Sequence, residues 1–283
     1  MFGYRSDGRK IKNVGPFFRV IPHVMSTRAD SQVYYFEDIS LEALDDYISK
    51  KELEGIKISY MHIIYSALVR IIAERPSLNR FVMNGSVYAR NGIYISLAIK
   101  KSMTETVEET TLKIHYDGSE NIFEIKDKLD NMIVKNKDLE AKNSTDKLAR
   151  TLAYVPNFFM KFSIGLLKFL DKHGMMPKSV IAASPFHTSA FLTNVGSIGI
   201  DAIYHHIYDF GTTGLFLAMG KKKKSFIFED DSLKQEKSIS IGWVADERIC
   251  DGFYYANSIK SFNRYMKKPE LLEKKIVPKK DVE

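Results

Sequence analysis

SISIGWVADERICDGFYYANSIKSF, residues 238–262 of a 283-residue chain, carries three local signals in a row. Ser238–Val244 alternates β-favouring residues and reads as a strand. Asp251-Gly252 is a turn signal. A helix is expected from about Phe253 to Met266, where Tyr255, Ile259, Phe262 and Met266 share one face of a 3.6-residue period. Glu247 and Arg248 lie in the connection between strand and turn.

Working outward, strands are expected at Ser189–Asn194, Gly214–Met219 and Ser225–Phe228. Lys221–Lys224 falls between two of them and reads as a solvated hairpin tip. Phe158–Leu170 is the most apolar stretch, but it carries Lys161 and Lys168 and is shorter than the roughly 20 apolar residues a membrane span needs. It reads as a buried or interface helix, a membrane-surface or partner-binding helix being the other reading. One or two helices are expected up to His173, and a polar loop at 135–145.

Toward the N-terminus, the spacing of Ile64, Ala67, Leu68, Ile71 and Ile72 predicts a helix over about 59–74, ended by Pro76. Asn84-Gly85 between Phe81–Met83 and Val87–Ala89 is a hairpin signal. Gly92–Lys100 and Thr110–His115 read as strands, and about 121–134 as a helix. Gln32–Asp38 reads as a strand, with Ser40 as N-cap of a following helix. Residues 1–30 read as an irregular arm and 268–283 as a basic tail. The chain as a whole is expected to form one domain, a mixed α/β (α+β) two-layer sandwich with helices against the sheet.

Composition narrows the class. Apolar residues make up 45% and charged residues 27%, which suits an ordered globular chain. A single cysteine, Cys250, excludes an intramolecular disulfide and any cysteine-only zinc site. With no apolar h-region at the N-terminus, a cytoplasmic location is expected. The net charge of +7 brings no helix-turn-helix, zinc-finger or RNA-recognition signature with it. No nucleic-acid partner is therefore expected, while peripheral membrane contact stays open; no metal is expected either, since the spacing around His205 and His206 supplies no third ligand.

Four segments, in order, resemble the catalytic domain shared by chloramphenicol acetyltransferase and the dihydrolipoyl acyltransferases of 2-oxoacid dehydrogenase complexes. They are ALVRIIAERPSLNRFVMNG (67–85), the strand 92–100, AFLTNVGSIGIDAIYHHIYDFGTTGLFLAMGK (190–221) and residues 238–262. The third is similar to that family's strand, Ser/Thr-Asn, Gly-x-x-Gly, loop and apolar strand. The last is similar to its final strand, His-x-x-x-Asp-Gly turn and closing helix, with one departure: Glu247 stands at the histidine. The resemblance implies a homotrimer with active sites between subunits, small-molecule acyl donor and acceptor, and a coenzyme A thioester as co-substrate. Since it begins near the N-terminus, no lipoyl or subunit-binding domain is expected.

In that family the histidine is a general base toward a thiol or hydroxyl acceptor, and a Ser or Thr hydroxyl stabilises the oxyanion. Carried across, the hydroxyl falls on Thr193 with Asn194 beside it, the base on Glu247, and the structural turn on Asp251 and Gly252. Arg19 is the partner suggested for Asp251. A free glutamate titrates about two units below histidine, a proton-affinity difference of about 3 kcal/mol, and burial can close that gap. Three readings stay open: Glu247 pairs with Arg248 or another cation, Glu247 is a tuned base, or His205 or His206 substitutes for it. Adjacent histidines on a strand would face opposite ways. The functional alternatives are an acyltransferase impaired at Glu247 and an inactive pseudo-acyltransferase that binds a thioester or a protein partner.

Overall fold

The computed structural model describes residues 5–100, 109–137, 143–229 and 231–282. In chain order its elements are β1 (Gly8–Lys10), α1 (Pro16–Val24), β2 (Gln32–Ser40), α2 (Glu42–Leu53) and α3 (Tyr60–Glu74). There follow β3 (Arg80–Met83), β4 (Ser86–Arg90), β5 (Ile93–Lys100), β6 (Glu109–Tyr116) and α4 (Ile122–Lys137). Next come α5 (Ser144–Ala153), α6 (Asn157–Lys172), α7 (Lys178–Ala183), β7 (Ala190–Asn194), β8 (Leu215–Glu229), β9 (Ser232–Asp246) and α8 (Gly252–Lys267).

The main sheet runs β2-β9-β8-β7-β5-β6. It is mixed, because β7 lies parallel to both β5 and β8 while the outer pairings are antiparallel. A smaller sheet, β1-β4-β3, flanks it. Its hairpin turns on Asn84 and Gly85, both at positive φ (50° and 67°), which two-residue hairpins require.

Burial follows the period of each element. In α3 every residue from Ile63 to Ala73 is buried, and the face read from the sequence packs on the sheet. Ser59 caps it by accepting from the His62 backbone N–H. Ile95, Leu97, Leu192, Leu217, Ile241 and Trp243 supply the sheet's helix-side face, with Phe262 of α8 edge-on to Trp243 at 4.9 Å. Burying each such side chain contributes about 1.5–3 kcal/mol. The opposite face carries a separate cluster of Phe191, Ile207, Phe216 and Val244.

Several expectations need correction. The arm at 1–30 contains β1 and α1. Ser40 is the last residue of β2 rather than a cap, and Leu41 holds the N-cap position of α2 without a side-chain bond. Lys221–Lys224 is solvated but is no hairpin tip: it lies inside β8, whose 15 residues pair with β9 out to Glu229↔Ser232. The loop expected at 135–145 is helical to Lys137 and again from Ser144, and residues 138–142 lie outside the described residues. Helix α6 is not buried: Phe158, Phe159, Phe162, Leu166 and Phe169 are exposed, and Asp171 is its one buried residue.

Candidate active site

Thr193 sits on β7 opposite Ala98 of β5 and Ala218 of β8. Alternation along the strands puts it on the sheet face away from α3, the side that holds Phe191 and Phe216. Residues 200–208 cross that face. Two glycines make room for them: a Cβ at Gly242 would come within 2.4 Å of the Ile203 carbonyl oxygen, and one at Gly220 within 2.3 Å of the Ala202 nitrogen. The crossing is fixed by Ala202 N–H donating to Ser240 Oγ (3.0 Å) and Lys221 N–H to the Ile200 carbonyl (2.9 Å). Asn194 starts the crossing by accepting from Ser197 N–H at 3.1 Å.

Between this segment and the sheet lies a cavity of about 320 Å³, lined by Thr193, His205, Phe191, Tyr208 and Phe216 among others. His205 stacks on Phe216 at 4.2 Å and 9°, and its Nδ1–H donates to the His206 carbonyl at 2.9 Å. That bond leaves the lone pair of the neutral ring on Nε2. Burial holds the His205 imidazole below its usual range, which also favours the neutral form. The segment is not a strand, so the two histidines do not face apart: His206 stacks on His205 at 4.7 Å and 23° and is itself exposed.

Glu247 lies elsewhere. It is exposed, just beyond the end of β9, and among the described residues its carboxylate has no ion-pair or hydrogen-bond partner. The expected pairing with Arg248 does not form, because Arg248 is taken by Asp246. Asp246 is fully buried and accepts from Arg248 Nε and Nη2 at 2.8 and 2.7 Å and from Ser31 Oγ at 3.0 Å. Arg28 stands 3.9 Å from the same carboxylate. Burial lowers the pKa of Arg28, and Asp246 opposes that.

Asp251 is exposed and caps α8, accepting from Tyr254 N–H at 2.7 Å, with Gly252 as the first helical residue. Arg19 is not its partner: it is exposed and donates to the Lys12 carbonyl at 3.2 Å. Thr193 is level with Gly242 across two strand spacings, and Glu247 is five residues further along. At 3.4 Å per residue and 4.8 Å per strand, Thr193 and Glu247 are about 20 Å apart within one chain. The structure therefore brings Thr193, Asn194 and His205 to one cavity and leaves Glu247 and Asp251 outside it.

A second histidine has a different part. His187 is buried, with Nε2 3.1 Å from Asp171 and Nδ1 2.8 Å from Ser184 Oγ. Arg5 binds the same Asp171 at 2.8 Å. All four side chains are closed to solvent, so this Ser-His-Asp set staples the end of α6 to the sheet.

A mixed sheet covered on one face by α2, α3, α4 and α8 and crossed on the other by residues 200–208 belongs to the chloramphenicol-acetyltransferase-like class of fold. Residues 183–273 match the family model of the 2-oxoacid dehydrogenase acyltransferase catalytic domain. Among solved structures, a probable dihydrolipoamide acetyltransferase from Listeria monocytogenes is similar at 16% identity and TM-score 0.55, covering 92% of this chain and 95% of that one. The Azotobacter vinelandii dihydrolipoamide acetyltransferase is similar at 12% and 0.56, over 92% and 93%; a serine, a histidine and an asparagine have been examined for their role in that enzyme's mechanism. Chloramphenicol acetyltransferase is similar at 12% and 0.53, over 92% and 100%. No curated protein sequence matches the chain. The chain shares the fold of these acyltransferase catalytic domains, and its residues 183–273 match their family model. Among the described residues, no helix is long and apolar enough to cross a membrane.

Proposed function

We propose that this protein is an acyltransferase that moves an acyl group from coenzyme A, or a related thioester, to a small thiol or hydroxyl acceptor beside Thr193. The observation that carries this reading is one cavity lined by both Thr193 and His205 on the sheet face opposite α3 and α8. His205 Nε2 takes the proton of the acceptor, whose sulfur or oxygen attacks the thioester carbonyl. Thr193 Oγ1 donates to the oxyanion as the carbonyl π bond opens. Collapse of that intermediate breaks the carbon–sulfur bond, and the imidazolium returns its proton to the departing thiolate. The aromatic walls limit water, which strengthens the threonine's hydrogen bond and slows hydrolysis of the thioester.

Glu247 enters this scheme only from a neighbouring subunit, since about 20 Å separates it from Thr193 in its own chain. A homotrimer with sites between subunits supplies that neighbour. The exposed Tyr34, Phe36 and Tyr204, whose rings lie 5.5 and 6.1 Å apart, offer an apolar surface for it. The second reading is a pseudo-acyltransferase that binds a thioester without turnover; the solvated, unpartnered Glu247 favours it.

Thiol release from acetyl-coenzyme A with a small dithiol acceptor tests both. Thr193→Val should lower the rate about 10²–10³-fold and His205→Gln about 10²–10⁴-fold, with Glu247→Gln close to wild type. Because the neutral imidazole is the active form and burial lowers its pKa, the wild-type rate should be flat above about pH 6.5 and fall below it. A rate abolished by Glu247→Gln would move the base to Glu247. Turnover only in Glu247→His would establish the pseudoenzyme.

A further inference from the structure

His205 stands in a stretch, residues 199–214, that belongs to no helix or strand. Such a stretch keeps a side chain in one place only where its backbone is tied down. One end is fixed on β8 and β9 through Lys221 and Ser240. The other is fixed at Asp209, whose Oδ1 accepts from the Arg28 backbone N–H at 3.0 Å and whose carbonyl accepts from Arg28 Nη1 at 2.8 Å. His205 lies between the two, three residues from Ala202 and four from Asp209.

Gln32, the first residue of β2, holds the middle. Its Oε1 accepts from the Ile207 N–H at 3.1 Å. A backbone N–H only donates, so this end of the amide is the oxygen. The same Oε1 accepts from the Tyr34 hydroxyl at 3.4 Å, and the Tyr34 ring meets Tyr204 edge-on at 5.5 Å. Alternation along β2 puts Gln32, Tyr34 and Phe36 on one face, the face that residues 200–208 cross. The residues on either side of the two histidines, Tyr204 and Ile207, therefore both rest on β2. Ile207 is buried and belongs to the cluster of Phe191, Phe216 and Val244. His205 stacks on that same Phe216. A shift of Ile207 therefore reaches the imidazole two residues away.

We propose that Gln32 is a positioning residue for His205: its Oε1, through Ile207 and Tyr34, keeps the imidazole stacked on Phe216 in the Thr193 cavity. Gln32 is not among the residues lining that cavity, so it acts through the segment. The catalytic consequence rests on the acyl-transfer reading, whereas the placement of the ring does not. Gln32→Leu keeps much of the side chain's volume and removes the acceptor. Gln32→Glu keeps both the length and the acceptor. Gln32 is half-buried at a strand end, so both variants should fold.

Thiol release and histidine proton NMR on the full chain, wild type and both variants, test it. In Gln32→Leu, kcat should fall about tenfold to 10²-fold, the scale of a misplacement of about 1 Å, with KM within about twofold. The His205 Cε1–H resonance, assigned by its loss in His205→Gln, should move toward that of a solvated imidazole as the stacking on Phe216 is lost. The resonance of the buried His187 should stay where it is. Gln32→Glu should restore both kcat and the His205 resonance. An unchanged kcat and His205 resonance in Gln32→Leu, with Thr193→Val still impaired, would overturn the positioning and leave acyl transfer standing. His205 and His187 resonances moving together would show a general loosening and overturn it too. If the wild type releases no thiol, the acyl-transfer reading falls, and the His205 resonance in Gln32→Leu alone decides whether Gln32 holds the ring.

Discussion

Asp246 holds the turn on which Glu247 sits. It is the last residue of β9, and its buried carboxylate gathers Arg248 in a two-armed pair, Ser31 and, at longer range, Arg28. Removing one partner of such a buried set leaves charge uncompensated, so Asp246→Asn should destabilise the fold by about 3 kcal/mol in urea denaturation. A loss under about 1 kcal/mol would mean that the arginines find other partners. Nothing in the Asp-Glu-Arg run of residues 246–248 says which carboxylate the arginine takes. Burial at the strand end decides it, and burial is a property of the tertiary structure. Thr193 enters through the resemblance of its segment, and the cavity beside it is a property of the fold.

The element that shapes the candidate site is the segment 200–208 lying across the sheet. Its Gly-rich entry was readable, but the need for Gly220 and Gly242 was not, since they receive the segment from two other strands. Gly242→Ala would drive a methyl group into the Ile203 carbonyl oxygen at 2.4 Å. A backbone displacement of that kind costs about 1–3 kcal/mol. It should also lift His205 off Phe216, so thiol release should fall more than stability does; a variant with full activity and unchanged melting would argue against this placement. The lysine run in β8 teaches a related lesson. Its polarity suggests a turn, yet β7 ends opposite Met219, so β8 is an edge strand from Lys221 onward and charged side chains fit there.

At the scale of the whole molecule, strand order and layering were legible only through the resemblance, because no local pattern fixes β2-β9-β8-β7-β5-β6. Helix α6 remains unmatched within one chain. Phe158, Phe162, Leu166 and Phe169 fall at i, i+4, i+8 and i+11 on its exposed side. We propose that this stripe covers a subunit contact. Replacing Phe158, Phe162 and Phe169 with serine should dissociate the oligomer in sedimentation equilibrium, and an unchanged soluble trimer would dispose of the assignment. The cavity beneath residues 200–208 is best probed by a crystal structure with a coenzyme A analogue bearing a ketone in place of the thioester. The ketone oxygen is expected within hydrogen-bond reach of Thr193 Oγ1, with His205 Nε2 facing the acyl carbon. An analogue bound with its ketone remote from Thr193, while Glu247 of any subunit approaches it, would rule out acyl transfer beside Thr193.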